Sequence, residues 1–162
     1  MDLPTPSTDS VALIIVDHGS KRGESNVMLE EFVQRFRAFT SYRIVEPAHM
    51  ELAEPTIAQA FDKCVAAGAT CVVVMPYFLL PGRHWSVDIP RLTAEAAAKH
   101  AGVKFLVTAP IGLHPLMRDI VQSRVDYCLK RASGDPAAKQ PCDVCEDEKQ
   151  GRCEMRQEPR TK

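Results

Sequence analysis

Two stretches, VALIIVD (11–17) and CVVVMPYFLL (71–80), restrict this chain more than any other feature. Each is apolar at nearly every position rather than at every second one. A strand satisfies that pattern only when both of its faces are covered, as happens inside a parallel sheet sandwiched by helices. The intervening segments read accordingly. ESNVMLEEFVQRFRAF places Val27, Phe32, Phe36 and Phe39 at near-helical spacing with charges between them. YRIVEPAHMEL reads as a second strand, weakened by Pro47, and PTIAQAFDKCVAAGA as a helix with Pro55 in its first turn and Gly68 at its end. SVDIPRLTAEAAAKHAG is helical, with Pro90 tolerated only near the start. VKFLVTAPIG makes a fourth strand and HPLMRDIVQSRVDYCLKRA a last amphipathic helix.

Strict alternation of strand and helix implies an α/β fold, with a four-stranded parallel doubly wound sheet flanked by helices. Right-handed crossovers favour the strand order 2-1-3-4. With 162 residues there is room for one such domain. Its expected limits are residues 11–133, between a short N-terminal segment (1–10) and a C-terminal tail (134–162). That tail has almost no aliphatic residues and much Pro, Gly and charge, so it lies outside the core and is expected to be flexible. A formal net charge of -1 argues against a nucleic-acid partner. No apolar run approaches the roughly 20 residues of a membrane span. The opening MDLPTPSTDS carries neither a signal core nor an Arg-rich amphipathic pattern, which fits a cytoplasmic protein or one whose targeting peptide has been removed.

Chemistry in such a sheet belongs at the carboxyl ends of the strands, where the winding reverses. Strand 1 ends in His18, strand 2 in HMELAE with Glu51, and strand 3 leads through Pro81 and Gly82 into His84. Three groups far apart in sequence thus meet on one rim. Two imidazoles and a carboxylate suit a borderline divalent metal such as Fe, Co, Ni or Zn. Structural readings stand beside this one. DHGS can be a turn in which Gly19 takes a positive φ and Ser20 caps the next helix. His84 can be a solvated loop residue, and Glu51 a surface one. His49 shares the strand parity of Glu51, so it either lines the same pocket or packs in the core. A site with so few ligands is open, as a site that hands its metal on must be, whereas a structural zinc site is closed by four ligands.

The segments DHGSKRGESN, HMELAEPTI, FLLPGRHWSVDIP and PIGLHPLM, in this order between Val11 and Arg131, resemble the class II tetrapyrrole chelatases. With its cysteine-rich end the chain is most similar to the plant, plastid branch of that family, the sirohydrochlorin ferrochelatases. The resemblance implies a lyase that inserts Fe2+ into sirohydrochlorin, giving siroheme. Cobalt insertion and a non-catalytic metal or iron–sulfur carrier are the rival readings. By position, His18 and His84 match the metal-binding histidines, and Glu51 matches the carboxylate that takes up pyrrole protons. His49 departs from many relatives, which carry an apolar residue there, and His114 in the HP motif reads as structural. Single units of this family imply a homodimer, and the plant branch implies the chloroplast stroma. Lys21, Arg22 and Arg83 flank the histidines and are candidates for contacts to the eight carboxylates of sirohydrochlorin.

The remaining motif is thiol-based. Cys142 and Cys145 form a C-x-x-C, Cys153 follows, and Cys128 near the end of the last helix can supply a fourth thiolate. Composition leaves an iron–sulfur cluster, a zinc site and an unliganded tail all open. Resemblance to the plant branch implies a [2Fe–2S] cluster. Cys64 and Cys71 read as small buried hydrophobes.

Overall fold

A computed structural model describes residues 10–138. The sheet is parallel, in the order β2-β1-β3-β4, as the alternation predicts. Its strands are β1 (Val11–Asp17), β2 (Ile44–His49), β3 (Cys71–Pro76) and β4 (Lys104–Val107). The helices are α1 (Gly23–Phe39), α2 (Ile57–Ala66), α3 (Ile89–Ala97) and α4 (Leu116–Ala132). A π-helical turn, His84–Asp88, leads directly into α3. By compactness the chain divides into Met1–Leu113, which carries the sheet, and His114–Lys162, which carries α4.

Within the first unit, β1 lies between β2 and β3, and its alternate residues feed two cores. Ala12, Ile14 and Val16 pack with Ile57, Phe61 and Cys64 of α2 and with Ile89 and Ala96 of α3. Ile15 packs with Leu29 and Val33 of α1, with Phe32 and Phe36 at the margin. The apolar stripe of α1 is therefore rotated from the one read in the sequence. Leu29 and Val33 are buried, whereas Val27 and Phe39 face solvent. Leu29 and Val33 are one turn apart, as are Phe32 and Phe36, so the two pairs make one continuous band.

Prolines explain several boundaries. Pro47 sits on β2, an edge strand, where a missing N–H costs least. Pro76 ends β3, so the YFLL that follows lies outside the strand although the apolar run continues. Pro55 precedes α2 instead of entering it. Thr56 is the N-cap, in a reciprocal capping box with Gln59 (Gln59 N–H to Thr56 Oγ1 at 3.3 Å, Thr56 N–H to Gln59 Oε1 at 2.7 Å). β4 is short and largely exposed, unlike the buried strands it follows. In the second unit, the His114 carbonyl accepts the Met117 N–H at 2.8 Å and its Nδ1 accepts the Leu116 N–H at 3.3 Å. His114 thus opens α4, as its structural reading anticipated. Among the described residues no helix is long and apolar enough to cross a membrane.

Candidate metal-handling site

The carboxyl ends of β1, β2 and β3 form a rim, and main-chain hydrogen bonds extend the sheet beyond its regular pairing there. Met50 N–H donates to the Asp17 carbonyl at 2.9 Å, and Glu51 N–H to the His18 carbonyl at 3.1 Å. Tyr77 N–H donates to the Val16 carbonyl at 2.7 Å. The excursion Met50–Pro55 is closed at its base by His49 N–H donating to the Pro55 carbonyl at 2.7 Å. That closure projects Glu51 over the rim, and Leu52 beside it adopts a positive φ of 67°.

Gly19 is required where these segments meet. Its φ is 82°, in the left-handed region, and a Cβ there would press into the Glu51 carbonyl oxygen and stand 3.1 Å from His49 Cβ. The Gly19 N–H is held by Asp17 Oδ1 at 2.9 Å. Ser20 Oγ accepts the Arg22 N–H at 3.0 Å, and the Ser20 carbonyl accepts from Asn26 Nδ2 at 2.9 Å. Ser20 therefore shapes the turn, while Arg22 stands at the N-cap position of α1 without a side-chain cap. Gly19 takes the positive φ expected of a turn in DHGS, but Ser20 does not cap α1; the turn sets the direction of His18.

His18 Nε2 lies 2.8 Å from Glu51 Oε1, and His18 Nδ1 lies 3.1 Å from the Gly19 carbonyl. The His18 and His84 rings sit edge to face with centroids 5.1 Å apart. Two imidazoles that share one ion at about 2.1 Å from each nitrogen, at a near-tetrahedral angle, place their centroids about 5 Å apart. The 5.1 Å separation matches that value and is also ordinary for an edge-to-face ring pair without an ion. All three side chains are about half exposed (41%, 53% and 46% for His18, Glu51 and His84), so the site opens to solvent. Glu51 lies against His18 itself and not at a common centre with His84. Accordingly, among the described residues no three His, Cys, Asp or Glu side chains already enclose a metal position.

His84 does not precede the helix, as the sequence suggested, but begins its π-helical turn. Its Nδ1 is 2.9 Å from Asp88 Oδ2. Trp85, the chain's single tryptophan, ties the turn to the end of β4 through Nε1–H to the Thr108 carbonyl at 2.9 Å. The Phe78 ring stacks at 6.5 Å behind His84. Sequence reading passed over Asp88, taking DIP as a helix start. The i, i+4 spacing from His84 was the available signal.

His49 is packed, not pocket-lining. It is fully buried, its Nδ1 is 2.6 Å from Asp17 Oδ1, and its Nε2 has no hydrogen-bond partner among the described residues. The same Asp17 oxygen thus grips both the Gly19 N–H and the His49 ring, bracing the turn beneath His18. Lys21, Arg22 and Arg83 are exposed around the rim, with Arg83 Nε 3.9 Å from Asp88 Oδ2. Cys64 is fully buried on the core face of α2, and burial pushes its thiol up to about 12. Cys71 is half-buried at the start of β3. Of the four thiols in the cluster reading, Cys128 lies on α4 and is half-buried, while Cys142, Cys145 and Cys153 lie outside the described residues.

The architecture is similar to that of known proteins. The CbiX family profile matches residues 12–128. The chain belongs to the CbiX family. This CbiX-family chain is 56% identical over 137 residues to the chloroplastic sirohydrochlorin ferrochelatase of Arabidopsis thaliana, across 85% of its own length and 60% of that protein. It is 35% identical over 115 residues to a sirohydrochlorin cobaltochelatase of Priestia megaterium, across 70% of its own length and 37% of that protein. Among solved structures it is similar to the sirohydrochlorin chelatase SirB of Bacillus subtilis subspecies spizizenii, in complex with cobalt. That match has a TM-score of 0.69 at 32% identity, covering 72% of this chain and 50% of that one. The chain therefore spans well under two thirds of the length of these relatives.

Proposed function

We propose that this protein is a lyase that inserts Fe2+ into sirohydrochlorin to give siroheme, the last step of siroheme synthesis. The observation that carries the reading is the meeting of His18, Glu51 and His84 on one open rim, in a chain of the CbiX family. Similarity to the Arabidopsis ferrochelatase favours iron as the metal substrate. His18 and His84 accept Fe2+ from solvent through neutral imidazoles: Glu51 swings from His18 Nε2 with the proton the two share, releases it to water, and the ion takes the vacated position. The macrocycle settles over the rim, its carboxylates facing Lys21, Arg22 and Arg83. As the ion passes from imidazole to pyrrole nitrogens, the displaced pyrrole protons go to Glu51, which is exposed enough to release them to water. A ligand set of two imidazoles is loose enough to give its ion away, which a closed four-ligand site is not.

Cobalt insertion is the second reading, favoured by the similarity to the cobaltochelatase and to the cobalt-bound SirB structure. Imidazole and carboxylate do not discriminate Fe2+ from Co2+. Anaerobic assays of sirohydrochlorin with Fe2+, Co2+ and Ni2+ in parallel separate the readings. Stoichiometric metal uptake without acceleration of insertion would identify a carrier. Wild-type insertion by His18→Ala or His84→Ala would refute the assigned roles.

The proposal extends to assembly and place. Residues 11–133 form the chelatase domain, flanked by segments 1–10 and 134–162. On the face that α1 partly covers, Leu106 stays exposed, and Val73 and Met75 are half-buried among the described residues. A second copy covering that strip would give a homodimer, which sedimentation tests. Similarity to a chloroplastic relative supports the chloroplast stroma, reached with a transit peptide that is then removed. Cys128, Cys142, Cys145 and Cys153 form a donor set suited to a [2Fe–2S] cluster, which would tie the tail to α4. Anaerobic purification with an absorption spectrum tests this, and a colourless zinc-loaded protein would refute the cluster.

A further inference from the structure

We infer that Asp88 is a positioning residue for metal transfer: it fixes the tautomer and direction of His84 so that Nε2 is the nitrogen offered to the ion. The inference rests on the metal-handling reading above.

Asp88 ends the π-helical turn with right-handed helical backbone (φ -71°, ψ -50°), so α3 continues straight from it and leaves no first-turn N–H for a capping bond. Here its side chain makes no such bond. The carboxylate turns back instead, Oδ2 lying 2.9 Å from His84 Nδ1. A carboxylate only accepts, so Nδ1 carries the proton and the neutral ring keeps its lone pair on Nε2. His18 Nδ1 likewise faces an acceptor, the Gly19 carbonyl at 3.1 Å, and its Nε2 becomes available once Glu51 Oε1, 2.8 Å away, has moved off with the proton they share. The two rings thus present the same nitrogen, one held by main chain and one by a carboxylate.

The position of Asp88 suits it to this role. The next residue, Ile89, is fully buried in the core under β1 and β3. Ile89 N–H donates back to the His84 carbonyl, closing the π-helical turn across the pair. Asp88 is thus fixed to the core, and its side chain is only 21% exposed, whereas the His84 side chain is 46% exposed. The carboxylate carries the rigidity of the core to an otherwise mobile imidazole. It also adds electron density to the ring and so strengthens the Nε2–metal bond. Arg83, at 3.9 Å, is too distant and too exposed to compete for Oδ2.

The test uses the full chain and Co2+ as a spectroscopic probe, read by d–d absorption, alongside kcat and KM for metal insertion and urea unfolding. Asp88→Ala should weaken Co2+ binding about 10- to 100-fold, alter the d–d bands and raise the KM for metal more than it lowers kcat. Asp88→Asn keeps an acceptor oxygen for Nδ1–H and should recover part of the affinity. Wild-type Co2+ affinity and spectrum in Asp88→Ala would overturn the inference. So would equal defects in both variants that merely track a loss of unfolding stability. If the wild-type protein itself fails to bind Co2+ and to insert metal, the metal-handling reading falls first and takes this inference with it.

Discussion

Replacing Gly19 with alanine probes the junction on which the rim depends. Two costs follow from its geometry. A left-handed backbone at φ 82° disfavours any residue with a Cβ, by about 1–2 kcal/mol. The added methyl also presses into the Glu51 carbonyl, so the β1 and β2 ends must part, straining or breaking the 3.1 Å bond from Glu51 N–H to the His18 carbonyl. Losing that bond costs about 0.5–1.5 kcal/mol more. The expected total is about 2–3 kcal/mol, or a fall in Tm of about 5–10 °C for a chain of this size. Gly68→Ala is the matched control. Its φ of 97° carries the conformational cost, but nothing lies within 4 Å of the added Cβ, so it should lose only about half as much. Thermal unfolding of both variants, with Co2+ titration of each, makes the comparison. Because the added methyl displaces the turn that aims His18 toward His84, Gly19→Ala should lose metal affinity as well as stability, and Gly68→Ala only stability. Equal Tm shifts, or wild-type metal binding by Gly19→Ala, would refute the close-approach argument.

Three further outcomes are expected. His49→Leu removes a buried, unpartnered Nε2 but takes a 2.6 Å partner from Asp17; leaving that carboxylate short of a donor should cost about 1–3 kcal/mol in urea unfolding. A variant more stable than wild type would show that the orphaned nitrogen costs more than the contact with Asp17 returns. With its thiol pushed up to about 12, Cys64 holds almost no thiolate at pH 8, so mapped alkylation should spare it until the protein unfolds. Raising pH from the ordinary thiol range through that value favours the unfolded chain, in which Cys64 ionises more readily, so this contribution to stability is present at neutral pH and lost in strong alkali. Trp85 adjoins His84 and is the sole tryptophan, so Co2+ should quench its emission, and His84→Ala should abolish most of the quenching.

How much of this was legible beforehand depends on the kind of signal. The sheet order was readable because β1 and β3 carry uninterrupted apolar runs, β1 buried on both faces and β3 fully on one and half-buried on the other. Once the order was fixed, topology alone brought His18, Glu51 and His84 to one rim. Phase within a helix was harder. Val27 and Phe39 are as apolar as Leu29 and Val33, and only the direction from which the sheet approaches decides which pair is buried. Strand 3 was read too long because Tyr77–Leu80 continues the run, although Pro76 ends the regular pairing. The pairing of Asp88 with His84 was hidden for a different reason. A segment read as a loop running into a helix gives no basis for applying helical spacing across the boundary, and the π-helical turn removes that boundary. His49 shared parity with Glu51, but the Met50–Pro55 excursion lifts Glu51 out of the strand and leaves His49 inside.

The π-helical turn has a consequence for how such a site can change. Its hydrogen bond from Ile89 N–H to the His84 carbonyl spans one residue more than an α-helical bond. Deleting one residue between them would convert the turn to ordinary helix, which closes the same one-turn bond with one residue fewer and leaves the chain upstream nearly in phase. Ile89 and the rest of α3 would keep their seat on the sheet and His84 its place one turn before Ile89, but losing one of Trp85, Ser86 and Val87 would leave Asp88 three residues from His84 instead of four. A single codon thus alters how the ring is braced, with the core untouched.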